Sequence, residues 1–148
     1  MDSSWLVEAD KLARQIAEMT DVDFERTLLT EKLCEYQFES GNPDSASIKV
    51  LVSPFAIIVS AGRGTQFELD ASQDGRAEAL LQSKAIAAGR LKERVWPNRV
   101  RFELELEDGR VLKGGARFRL IPAPMGQGED LIYAPYGAHR SDESGEPS

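Results

Sequence analysis

The chain has 148 residues, 41% apolar and 29% charged, enough for one hydrophobic core and unlike a disordered or membrane composition. Its 18 basic and 25 acidic residues leave a net charge of −7, which argues against nucleic acid as the partner. Cys34 and His139 are the sole cysteine and histidine, so an intramolecular disulfide, a cysteine-rich metal site and a histidine cluster are excluded.

Met1-Asp2-Ser3-Ser4 has neither the basic nor the apolar region of a secretory signal. The longest apolar run, Phe55 to Val59, falls far short of the roughly 20 residues that cross a bilayer. A cytoplasmic protein without membrane contact is expected.

Trp5, Ala9, Leu12, Ile16 and Met19 recur at spacings of three and four, predicting a first helix capped by Ser3 or Ser4. A second helix is expected to open at Thr20 or Asp21. Asp21, Asp23 and Glu25 would then meet the positive end of its dipole, with Phe24 and Leu28 facing inward. Cys34, Tyr36 and Phe38 alternate with Glu35, Gln37 and Glu39, a half-buried strand whose thiol lies on the apolar side.

After a turn at residues 40–44, Ile48, Val50 and Val52 mark another strand, which Ser53-Pro54 interrupts. Phe55 to Val59 lacks alternation and suggests a strand covered on both faces. Gly62-Arg63-Gly64 turns the chain into a return strand carrying Phe67 and Leu69. A long helix capped by Ser72 or Asp74 is predicted to run through Leu91 and Val95 to Trp96-Pro97, where proline stops it. Arg90, Lys92 and Arg94 would end it.

Val100, Phe102, Leu104 and Leu106 alternate with charged residues, and Asp108-Gly109 predicts a two-residue hairpin turn. That register carries Phe118 and Leu120 to the charged face unless a bulge at Gly114-Gly115 restores them, so a bulge is expected there. Arg99, Arg101, Arg117 and Arg119 then share the outer face. Residues 1–121 form a single α+β domain, with an antiparallel sheet of five or six strands and helices mainly on one face. Residues 122–148 are a Pro/Gly-rich segment and an acidic tail, expected to be disordered, in which Leu131-Ile132-Tyr133 can add a short strand.

No residue set calls for a cofactor or a metal. Gly62-Arg63-Gly64-Thr65 lacks the spacing of a phosphate loop and is read as a hairpin turn. Glu103, Glu105 and Glu107 alternate outward, as a solvated face does. Residues 84–119 nevertheless hold ten basic against five acidic residues, whereas residues 1–40 hold four against ten. The four arginines are therefore the candidate site, and the expected partner is another protein, with a homodimer among the options. In topology alone, the order of elements resembles the bacterial secretion-chaperone-like fold and the cone-shaped nuclear-transport-factor-like fold. A non-enzymatic protein-binding module of chaperone, adaptor or immunity type is the leading expectation. The alternatives are a small-molecule-binding protein or enzyme with a cone-shaped pocket and, behind it, a nucleic-acid-associated protein using the arginine face.

Overall fold

The computed structural model describes residues 4–117 and 128–136. They form an α+β fold with two helices and two antiparallel sheets. The first helix, α1 (Ser4–Thr20), buries Ala9, Leu12, Ala13 and Ile16, the stripe its spacing predicts. It stops because Asp21 takes a positive φ of 59°.

The second predicted helix is instead strand β1 (Phe24–Thr30). Phe24 packs against Tyr36 and Phe38 at ring distances of 5.6 and 5.5 Å, and Arg26 reaches back to Asp10 of α1 at 2.8 Å. Both contacts need a two-residue period, and they outweigh the acidic helix-start pattern. An antiparallel meander continues through β2 (Leu33–Phe38), β3 (Ile48–Val52), β4 (Ala56–Ala61) and β5 (Thr65–Asp70), in the spatial order of the sequence. Cys34, Tyr36, Phe38, Ile48, Val50, Val52, Ile57 and Val59 are buried on the face that the helices cover. On β4 this burial alternates, with Ile58 and Ser60 only half-covered, so the strand is not enclosed on both sides. Tyr36 Oη donates to Asp10 Oδ1 at 2.6 Å, fixing α1 on the sheet.

The second helix, α2 (Gln73–Ala87), is capped as expected by Ser72, whose hydroxyl accepts from the Gly75 amide at 3.1 Å. It ends eight residues before Val95. Gly89, at φ 79°, closes it as a Schellman motif, with Gly89 N donating to Ile86 O and Arg90 N to Ala85 O, both at 3.0 Å. Leu91–Trp96, predicted as helix, is strand β6. Arg90 follows the helix cap, and Lys92 and Arg94 stand on this strand.

Strand β6 joins β7 (Arg99–Glu105), β8 (Val111–Arg117) and β9 (Glu129–Ile132) in a second sheet of order β8-β7-β6-β9. The five-stranded sheet matches expectation; the four-stranded one has its own layer because β6 replaces the end of the long helix. The expected bulge at Gly114-Gly115 is absent, and pairing runs without a shift from Arg99↔Arg117 to Glu105↔Val111. The extra residue sits in the turn instead. Leu106 N bonds Arg110 O at 2.8 Å across Glu107-Asp108-Gly109, with Gly109 at φ 96°.

Leu91, Phe102, Leu104 and Leu106 point inward and join the common core, where Phe102 meets Phe67 edge-on at 5.2 Å. Beyond β9 the chain crosses back to the first sheet. Ala134 N bonds Asp44 O at 2.8 Å, and Tyr136 Oη bonds Ala46 O at 2.6 Å. Among the described residues no helix is long and apolar enough to cross a membrane.

Candidate partner-binding face

Alternation on β6 and β7 turns Lys92, Arg94 and Trp96 to the outer face beside Glu103, Arg101 and Arg99, their directly paired residues. Four of these six are cations, and among the described residues no helix covers this face. Most charges are answered locally. Arg94 holds Asp130 of β9 in a bidentate pair at 2.7 and 3.1 Å, and that hydrogen bond keeps the Asp130 carboxyl below its ordinary range. Lys113 lies 3.7 Å from Glu103. Arg99 stacks on Trp96 with its guanidinium 4.3 Å from the ring centroid.

Arg101 differs. It is exposed, lies directly across from Arg94, and among the described residues has no carboxylate within ion-pair distance. On its other side it pairs with Gly115, which brings no side chain. Around it lies a trough of ≈ 740 Å³ lined by Lys92, Arg101, Glu103, Lys113, Asp130 and Ile132. Ile132 is 72% exposed at its border.

Of the four arginines singled out in the sequence, Arg99 and Arg101 share this outer face. The backbone of Arg117 pairs with Arg99, whereas the expected bulge would have set it opposite Arg101. Arg119 lies outside the described residues, as does His139. Lys92 and Arg94 were placed at the basic end of the long helix, and Lys113 and Ile132 were missed. The signal for the first two was present in the alternation of Leu91, Glu93 and Val95 with Lys92, Arg94 and Trp96, but a helical period fits the same residues.

A second polar convergence joins the two sheets. Glu93, 2% exposed, points inward from β6 into the β4–β5 turn. Its carboxylate accepts from Arg63 N at 2.9 Å, Gly64 N at 3.0 Å, Thr65 Oγ1 at 2.6 Å and Tyr133 Oη at 2.6 Å. The glycine-rich turn is thus a hairpin, as predicted, and also an anion cradle filled by the protein's own carboxylate. Burial, then the bond to Glu93, pushes the Tyr133 phenol up. With every lone pair engaged, Glu93 acts as an internal fastening.

Glu103, Glu105 and Glu107 are exposed and face Lys113, Arg90 and Lys84 as ion pairs. Cys34 is buried with a free thiol. Comparison with protein-family models, with curated proteins and with solved structures finds no match. Chemically, the outer face of the second sheet offers an unneutralised guanidinium and an ammonium beside exposed apolar surface, a set suited to carboxylates on a macromolecule.

Proposed function

We propose that the protein is a binding module for another protein, in the manner of a chaperone, adaptor or immunity-type protein, and that it grips an acidic surface with the outer face of the second sheet. Arg101 carries this reading. Like charges directly opposite on neighbouring strands destabilise a sheet, and Asp130 neutralises only Arg94 of the Arg94↔Arg101 pair. Among the described residues Arg101 has neither a carboxylate partner nor a helix over it, and an acidic partner surface would supply its counter-charge. Bases of a nucleic acid would need exposed rings to stack on. Phe102 is buried in the core, and Trp96 is half-buried with Arg99 over its ring.

The test is fluorescence anisotropy with a labelled polyglutamate peptide. Binding at low salt, weakening as salt rises and lost in Arg101→Glu but kept in Arg14→Glu on the exposed side of α1, is the expected result. Absence of binding at low salt, or equal loss in both variants, would overturn the proposal.

A further inference from the structure

Among the described residues strand β8 is an edge of the second sheet, and cavities flank it on both sides. The cationic trough borders its outer side at Lys113 and Gly114. On its inner side lies a groove of ≈ 600 Å³ whose lining includes Phe67, Leu69, Gln82, Phe102, Leu112 and Gly114. Gln82 is 2% exposed, and its buried Oε1 has no hydrogen-bond partner.

The register decides which backbone groups the edge offers. Leu106 N bonds Arg110 O, so the ladder bonds fall on alternate pairs, Leu104↔Leu112 and Phe102↔Gly114. The N–H and C=O groups of Val111, Lys113 and Gly115 therefore point away from β7, and no strand pairs with them among the described residues. Gly114 and Gly115 also expose the next strand inward. The Phe102 ring lies so close beneath Gly114 that an added Cβ would sit 2.5 Å from it. On the opposite face Gly115 puts no side chain between the edge and Arg101.

Resting on the binding role proposed above, we infer that the β8 edge takes up an extended segment of the partner as an added strand. Its residues opposite Lys113 and Gly115 project outward and are acidic, reaching Lys113 and, over Gly115, Arg101. Those opposite Leu112 and Gly114 project inward and are apolar, packing on Leu112 and Phe102 at the mouth of the groove. In this register the acidic residues supply the N–H groups that bond to β8.

The probe is a labelled heptapeptide alternating glutamate with valine, compared with the same residues segregated into blocks and with versions N-methylated on the glutamates or on the valines. The alternating peptide is expected to bind at least tenfold more tightly than the segregated one. N-methylation of the glutamates, and Arg101→Glu in the protein, should each cost tenfold or more, while N-methylation of the valines leaves binding intact. Hydrogen exchange of the Lys113 and Gly115 amides should slow on binding. If the segregated or glutamate-methylated peptide binds as well and Arg101→Glu still abolishes it, strand addition is overturned and the arginine face stands. If no acidic peptide binds, both fall. A stable dimer that Arg101→Glu dissociates would put a second copy on this edge and overturn the partner-strand assignment.

Discussion

Thr65 donates its hydroxyl to Glu93 across 2.6 Å, linking the last turn of the first sheet to the first strand of the second. The bond is buried, and the same carboxylate collects two backbone amides and the Tyr133 hydroxyl. Glu93→Ala strands all four donors and should lower unfolding free energy by about 3 kcal/mol or more, since each buried donor left unsatisfied costs about 1–3 kcal/mol. Glu93→Gln keeps one acceptor and should cost about 2 kcal/mol. Urea denaturation at neutral pH measures both, and a loss below about 1 kcal/mol in the alanine variant would show that the cluster contributes little.

Gly62 and Gly109 both adopt positive φ, at 63° and 96°, but their surroundings differ. A Cβ at Gly62 would lie 2.6 Å from the Glu93 carboxylate, whereas nothing lies within 4 Å of one at Gly109. Gly109→Ala should therefore cost only the backbone term, about 1–2 kcal/mol. Gly62→Ala adds displacement of the carboxylate and should cost about 3 kcal/mol or more. Paired thermal melts test this, with equal shifts contradicting the assigned role of the cradle.

All three tyrosines are raised above the ordinary phenol range. Burial is the leading cause at each, joined by the Asp10 bond at Tyr36, the Glu93 bond at Tyr133 and the nearby Glu39 charge at Tyr136. The folded state holds these protons where the unfolded chain releases them near pH 10. Above that pH the unfolded state binds fewer protons, so stability is full below about pH 10 and falls as pH rises past it. Phenolate absorbance at 295 nm should appear together with loss of circular dichroism. A reversible titration near pH 10 in the folded protein would contradict the burial of at least one ring.

Arg99 and Arg101 are two residues apart on one strand, yet they should respond differently to substitution. Arg99→Ala removes the stack on Trp96 and should cost about 0.5–1 kcal/mol. Arg101→Glu removes no ion pair among the described residues and places a carboxylate opposite Arg94, so the melting temperature should hold or rise slightly. A marked drop for Arg101→Glu would make that side chain part of the folding machinery.

Sequence periodicity was sufficient where apolar and polar residues alternate cleanly or recur at helical spacing, whereas on β4 the half-covered Ile58 hid the alternation. The stripe of α1 and the alternation of β2, β3 and β7 all emerged with their inward residues correct. It failed at β1, where six of seven residues are exposed and no apolar face exists to impose a period. It failed again at β6, because the inward residue between Leu91 and Val95 is Glu93, a charge whose burial depends on donors 28 to 40 residues away. Losing β6 concealed half of the candidate face, including Arg94, so the compensation of Arg94 and the isolation of Arg101 emerged only from the pairing of strands. Arg99 and Arg101 were legible because β7 alternates cleanly.

The cradle around Glu93 also governs how the molecule comes apart. Trp5 sits on the helix over the first sheet and Trp96 on the second, so each half carries its own fluorophore. Releasing either half alone breaks the bonds from Arg63, Gly64 and Thr65 to Glu93 and opens the core that the two sheets share. The two sheets are therefore expected to unfold as one cooperative unit, with the fluorescence of Trp5 and Trp96 changing together.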